Sequence, residues 1–301
     1  MRFNKGYSLN ELLSNIDYND CIIGSKDSII LGFSDDYFAE DADLTWTDNE
    51  LILNNLLAKP FNLTIITNIK IKKQIVNKNI VYCKNPLRLF ETIVDSCFVW
   101  PNKNVEIGQN SSIHTTAIIG KNVSIGKNCK ISPYVVIGDN VTIGNNVEIE
   151  SFSTIGNAPY YTLWNQNNKS RIRSIYGCVN IKNNVRIGSY CSIDNGITGE
   201  TVIGSGCKLG NFVEISHDVR VGNNCHICTQ TAICGLVSIG NDCVFWGRSG
   251  VTNRIKIAPR TTLLASSVLT KSVLIEGQTF CGFPAMERIK YWKKIAQTRN
   301  Q

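Results

Sequence analysis

Large aliphatic side chains recur at every sixth position over most of this chain. From Ile107 the series runs through Ile113, Ile119, Ile125, Ile131, Ile137, Ile143, Ile149 and Ile155 without a miss. A second series starts at Ile203 and continues through Leu209, Ile215, Val221, Ile227, Ile233, Ile239, Phe245, Val251, Ile257, Leu263, Leu269 and Ile275. A shorter run, Ile175, Ile181, Ile187 and Ile193, lies between them. Period six fits neither a 3.6-residue helix nor the two-residue alternation of one long strand. It fits strands of about four residues separated by bends. The residue two before each aliphatic shares its inward direction, and these positions hold small or β-branched residues: Val105, Ser111, Ala117, Val123, Cys129, Val135, Val141, Val147 and Ser153. The residue after the aliphatic is repeatedly glycine, as at Gly108, Gly120, Gly126, Gly138, Gly144 and Gly156. Glycine there predicts a bend with an unusual backbone angle. Asn and Asp crowd the same bends, as turn residues should.

Three such hexads close a triangular coil, and coils stack at the strand spacing of about 4.8 Å. The predicted architecture is mainly β. It comprises a parallel β-helix over 101–283, a small α/β domain over 1–100 and a short helical segment over 284–301.

The remaining composition narrows the class. The 301 residues are 43% hydrophobic and carry a net charge of +7. That charge suits an acidic partner such as a phosphorylated substrate, coenzyme A or an acyl carrier protein, and it equally suits plain solubility. Nothing in the pattern points to nucleic acid. No apolar run is long enough to span a bilayer, and the first residues lack the apolar stretch of a signal peptide, so a cytoplasmic protein is expected. Twelve cysteines would suit a disulfide scaffold in a short exported chain. Here Cys207, Cys225 and Cys243 fall one coil apart at inward positions and read as core. Cys225-His226-Ile227-Cys228 has a metal-like spacing, but alternation sends Cys225 inward and His226 outward, so no metal site is expected.

Breaks in the repeat locate chemistry, because a solenoid accepts insertions only at its bends. The first break, 157–174, is polar, basic and aromatic, with Tyr160, Tyr161 and Trp164 as candidate substrate contacts. The second, Asp194-Asn195-Gly196-Ile197-Thr198-Gly199-Glu200, shifts the register before Ile203. The chain has three histidines. His114 and His226 look inert. His217, in VEISHDVRVG, stands at a bend one coil after the second break.

SIDNG (192–196), TVIG (201–204), ISHDVRVG (215–222) and ICG (233–235) together resemble the UDP-3-O-acylglucosamine N-acyltransferases of lipid A synthesis, members of the hexapeptide-repeat acyltransferases. The resemblance implies a left-handed coil, although crossover statistics alone favour the right hand. It implies a homotrimer with the reaction in clefts between neighbouring β-helices. It makes His217 the general base and the Gly235 N–H an oxyanion donor, with Asp194 and Asn211 near the cleft. ADLTWTDN (42–49) resembles the family's uridine-binding segment, with Trp46 stacking on the base beside Asn49. KNPLRLFETIVDSC (84–97) resembles the helix that follows.

The chain also departs from that pattern. Ile52 stands where the family has a second aromatic, Arg254 where it has a second cleft histidine, and one short helix, MERIKYWKKIAQ, replaces long C-terminal helices. ASSVLTKSVLIEGQTFCGFPAM (265–286) instead resembles the last coil of coenzyme A-dependent sugar acetyltransferases. Arg254, Lys256, Arg260 and Lys271 are then candidates for the donor's phosphates, or else a solvated basic face.

The expected reaction is transfer of an acyl group from a thioester, with acyl-coenzyme A favoured, to the amine of a nucleotide-linked amino sugar for a surface glycan. No permanently bound cofactor is expected. The alternatives are the lipid A enzyme itself using acyl carrier protein, O-acylation, and an inert binding module. A zinc anhydrase on a related fold needs three ligand histidines, which His114, His217 and His226 do not supply. If Trp46 stacks on the base, Trp46→Ala raises KM for the nucleotide sugar well before it lowers kcat, which steady-state kinetics reads directly.

Overall fold

Each six-residue repeat folds as a ladder of two residues and a four-residue bend. The strands are shorter than the sequence pattern suggests: Ser124–Ile125, Lys130–Ile131 and Val136–Ile137 are typical. The chain is seen in a computed structural model. It describes all residues except 15, 17–21, 37–38, 72–74, 165–169 and 300–301, and only the backbone of 22–23, 162–164, 170–172 and 299. Two compact units are present, Met1–Trp100 and Pro101–Gln301.

In the second unit the ladders stack into three parallel sheets, one for each face of a left-handed β-helix. Face one runs from Glu106–Ile107 to Lys256–Ile257, face two begins at Ser112–Ile113, and face three runs from Ile118–Ile119 to Val268–Leu269. Pairing is in register, with Ile125 beside Ile143 and Ile131 beside Ile149. The aliphatic columns therefore stack isoleucine on isoleucine in a continuous core from Val123 to Val273. Each such side chain contributes about 1.5–3 kcal/mol when fully buried. Cys207, Cys225 and Cys243 lie fully inside that core. All described cysteines are free.

Of the glycines after the aliphatics, Gly156 takes the unusual angle expected of them, with φ +81°, and Gly108, Gly120, Gly126, Gly138 and Gly144 do not. Left-handed φ falls two residues later, at Asn110, Asn122, Asn128, Asn140 and Asn146, where Asn tolerates it. The glycines are needed for space: a Cβ on Gly126 would lie 2.5 Å from the carbonyl oxygen of Gly144 in the next coil. One position along, a second ladder forms. The Lys127 N–H donates to Asn145 Oδ1 at 2.7 Å, and the Asn145 N–H donates to Asn183 Oδ1 at 2.8 Å. At the bend between faces two and three, the left-handed position carries Tyr134, Phe152, Tyr190 and Phe212. These rings stack at 5.1, 5.0 and 5.1 Å, each about half exposed.

The ends of the six-residue series depart from the pattern. Val105 and Ile107 are exposed on the first coil, which has a repeat on one side only. Ile175 precedes the strand Cys178–Ile181 and is half-buried. Ile275 is 65% exposed, while Val273 is buried and bridges to Ile257. The last coil is thus two residues short, and the hydrophobic period outlasts the coil geometry. The helix near the end begins at Arg288, because Met286–Glu287 forms a strand against Phe280–Cys281.

The first unit is a six-stranded sheet with four central parallel strands, Ile29–Phe33, Asp43–Thr47, Leu63–Thr67 and Lys78–Tyr82. Its helices are α1 (Leu9–Leu13), α2 (Glu50–Ala58) and α3 (Pro86–Cys97). Ser8 and Glu11 close a reciprocal cap on α1. No described helix is long and apolar enough to cross a membrane.

The spatial role of the glycines gives a direct test. Gly126→Ala should lower unfolding free energy by about 1–3 kcal/mol in urea titration. The exposed neighbour change Lys127→Ala should stay within about 0.5 kcal/mol.

Candidate functional site

Every break in the repeat leaves the helix at one edge, the bend from face three to face one. Both insertions start there, after Thr154–Asn157 and after Ser192–Asp194. His217 and Gly235 occupy the same bend in the two following coils, after Ile215 and Ile233.

The His217 side chain lies almost wholly inside this edge, at 7% exposure. Its Nδ1 is 3.0 Å from Asp218 Oδ2. Asp218 is buried, and its carboxylate also accepts the N–H groups of Ile197 at 2.9 Å and Gly199 at 3.0 Å. Its own N–H donates to Thr201 Oγ1 at 2.9 Å. The second insertion is therefore a cradle for Asp218. Its glycines allow the fit, since a Cβ on Gly196 would lie 2.2 Å from the Gly199 carbonyl oxygen and 3.0 Å from Asp218 Oδ1. A carboxylate held this way keeps the proton of the imidazole on Nδ1 and leaves Nε2 as the acceptor. Nε2 makes no hydrogen bond to a described residue.

Gly235 is glycine for the same reason of space. A Cβ there would lie 2.4 Å from His217 Nε2. The consequence reaches the bend ladder. At several other bends, as at Asp139, Asn145 and Asn223, the residue at this position supplies a side-chain oxygen to the N–H of the coil before it, and Gly235 has none to offer. The N–H groups of His217 and Gly235 both find no acceptor among the described residues. Two unspent donors beside a basic nitrogen form a suitable environment for a developing oxyanion.

Asp194 sits at the mouth of the same bend, buried, with Ser216 Oγ 3.4 Å from its Oδ2. Burial, and secondarily the Glu214 carboxylate, push its pKa up to about 6; His217 and Ser216 act in the opposite sense. From the first insertion, the Tyr161 ring meets the His217 ring edge to face at 5.2 Å, and Arg173 lies 5.7 Å over Tyr161. Tyr160 is 89% exposed and points away from this packing. The Trp164 side chain and residues 165–169 lie outside the described residues.

The other candidates are dispersed. Asn211 stands at the bend from face two to face three, where its Oδ1 accepts the Ser189 N–H at 3.0 Å. Within one chain it is not beside His217. Arg254 and Lys271 continue the His217 edge by one and two coils beyond Gly235. Lys256 projects from face one, and Arg260 pairs with Glu276 at another bend, 2.5 Å away. In the first unit, Trp46 is half-buried near the carboxyl end of its strand, the end where open α/β sheets bind ligands. Asn49 caps α2 by accepting the Ile52 N–H at 3.2 Å. A cavity of about 710 Å³ opens at the opposite, amino ends of the strands, beside Ala42, Leu63, Lys78 and Asn79. No group of three or more metal-binding side chains occurs among the described residues.

Sequence reasoning missed Asp218, Thr201, Arg173 and the two cradle amides. The adjacency of His217 and Asp218 at a bend was the available signal for the first. The others depend on how the insertions fold back.

Known proteins resemble this chain over its β-helix. The model of the bacterial transferase hexapeptide (six repeats) matches residues 122–157 and 200–235. A UDP-3-O-acylglucosamine N-acyltransferase of Sulfurimonas denitrificans is 35% identical over 131 residues, 43% of this chain and 41% of that protein. One from Wolinella succinogenes is 32% identical over 126 residues, covering 42% and 39%. The chain thus spans about two fifths of the length of these curated relatives. Among solved structures, the UDP-N-acetylglucosamine acyltransferase of Campylobacter jejuni is similar with a TM-score of 0.56 at 23% identity, over 62% of this chain and 70% of that one. The Bacteroides fragilis UDP-N-acetylglucosamine acyltransferase gives 0.55 at 21%, over 65% and 77%. These structures share the β-helix fold.

The raised Asp194 pKa sets a pH dependence. Its folded value of about 6 exceeds the unfolded value of about 4, so the native state holds this proton more tightly. The stability contribution is present below about pH 4 and is lost as pH rises through about 6. Urea titrations should show the wild type falling relative to Asp194→Asn across that window, by on the order of 3 kcal/mol. Parallel curves for the two proteins would remove the assignment.

Proposed function

We propose that this protein transfers an acyl group from a thioester to the amine of a nucleotide-linked amino sugar in the cytoplasm. The observation that carries the proposal is the His217 imidazole, oriented by Asp218 and set against the two unspent N–H groups of His217 and Gly235. The names of the relatives favour a UDP-linked 3-O-acylglucosamine acceptor, as in lipid A synthesis, over another surface-glycan sugar.

In this reading the acceptor nitrogen attacks the thioester carbonyl and loses its proton to His217 Nε2. Asp218 balances the imidazolium so formed. The negative charge gathering on the carbonyl oxygen is met by the Gly235 N–H. Collapse of the tetrahedral species expels the thiolate, which takes the proton back from Nε2. Asp194, at the mouth of the bend, is suited to receive a cationic amine. Tyr161 covers the imidazole from the side of the first insertion.

The donor is a phosphopantetheine thioester. Coenzyme A is favoured by the resemblance of 265–286 to coenzyme A-dependent enzymes. Arg254 and Lys271, on the His217 edge, are the cations that suit its phosphates. Assembly as a homotrimer belongs to the same proposal. The half-exposed stack from Tyr134 to Phe212 supports it by offering a continuous apolar edge beside Asn211.

His217→Asn should lower kcat by roughly 10²–10⁴ while circular dichroism and oligomeric mass stay unchanged. Mass spectrometry of products, with amino-sugar nucleotides offered against acyl-coenzyme A and acyl carrier protein, identifies acceptor and donor together. Near-normal turnover in the variant would take His217 out of the chemistry.

A further inference from the structure

The helix α4, Arg288–Arg299, plays no part in the transfer chemistry above. Its sequence, RIKYWKKIAQTR, holds five cations and no carboxylate, against a net charge of +7 for the whole chain. One side is fixed on the solenoid. The Tyr291 ring packs on Gly282, where a Cβ would lie 2.8 Å from the ring, and Ile295, one turn on, is also partly covered. The rest faces outward. Ile289 is 59% exposed and Trp292 58%, and Ala296 is exposed as well. Their spacing of three and four residues makes them one stripe. Lys290, Lys293 and Lys294 are exposed around it. Phe283, next to Gly282 and so beside the same helix, is 80% exposed.

We propose that α4 and Phe283 dock this protein onto an anionic membrane surface. The apolar groups form one narrow stripe on a convex helix face, bordered by cations. That arrangement offers a protein partner little to enclose. A bilayer needs no shape match: indole and phenyl rings settle at the headgroup boundary, and Lys stems reach the phosphates. The complementary charge is that of acidic headgroups, each cation near such a surface strengthening binding about fivefold. The inference is independent of the acyl-transfer reading, since it uses none of the same residues and its readout is binding.

The test is sedimentation of the full chain with vesicles of equal parts phosphatidylglycerol and phosphatidylcholine, against pure phosphatidylcholine vesicles. Binding is expected to the first only, to be released by high salt, and to be accompanied by a blue shift of tryptophan fluorescence that is lost in Trp292→Phe. Lys293→Gln with Lys294→Gln should weaken binding roughly thirtyfold. Ile289→Ser with Trp292→Ser, which keeps the charges, should also weaken it. Unchanged thermal unfolding of both double variants separates these effects from misfolding. No binding to anionic vesicles at low salt overturns the proposal, as does binding indifferent to both pairs of substitutions. Capture of α4 by an acidic carrier protein, with no vesicle binding, assigns the surface to a protein partner and equally overturns it.

Discussion

The second unit depends on one contact, the close stacking of each coil's backbone on the next. Coil-to-coil hydrogen bonds such as Gly126 N–H to the Ile143 carbonyl at 2.8 Å hold the bends close, so that a Cβ on Gly126 would meet the Gly144 carbonyl. That closeness favours glycine after the aliphatic at bends such as Gly126, accompanies a left-handed angle two residues later, often at Asn, and lets the isoleucine columns meet in register. It leaves little freedom inside the solenoid. Variation is confined to the bends, and chemistry is confined with it.

The candidate site is that constraint put to another use. The imidazole of His217 takes the space that a side chain at Gly235 would fill, and the missing side chain leaves backbone donors unspent. The Asp218 cradle comes from an insertion that the stacking tolerates only because it leaves at a bend. The imidazole, the carboxylate that orients it and the unspent N–H groups thus follow from a single local exchange of packing for polarity. Such exchanges cost stability where they occur.

The repeat made most of the fold legible in the sequence, because a column of inward isoleucines with period six requires a three-faced coil, and the resemblance supplied its hand. His217 and Gly235 were legible through the bend they share, one coil apart. The rest was not, for identifiable reasons. Ile275 keeps the period after the last coil has shortened, so pattern and geometry part there. Asn211 and Arg260 belong to other bends than His217, a distinction the linear spacing shows only once the faces are assigned. Asp218 looks like any bend residue until Ile197 and Gly199 fold onto it. Long-range placement of backbone amides leaves no local mark in a sequence.

The inward cysteines carry a further consequence. Cys207, Cys225 and Cys243 stack in consecutive coils, their thiols donating to the carbonyls of Gly222, Gly240 and Ala258. Each coil touches only its neighbours, so the domain behaves as a one-dimensional chain of coupled units. Melting in such a chain starts from an end or a weak joint and spreads coil by coil. The joint at His217 and Gly235 lacks its side-chain link, whereas the thiol column bonds across the same coils from within. Opening along the His217 edge would therefore leave the thiol seam of the same coils closed, so the solenoid is expected to loosen along one edge before whole coils part.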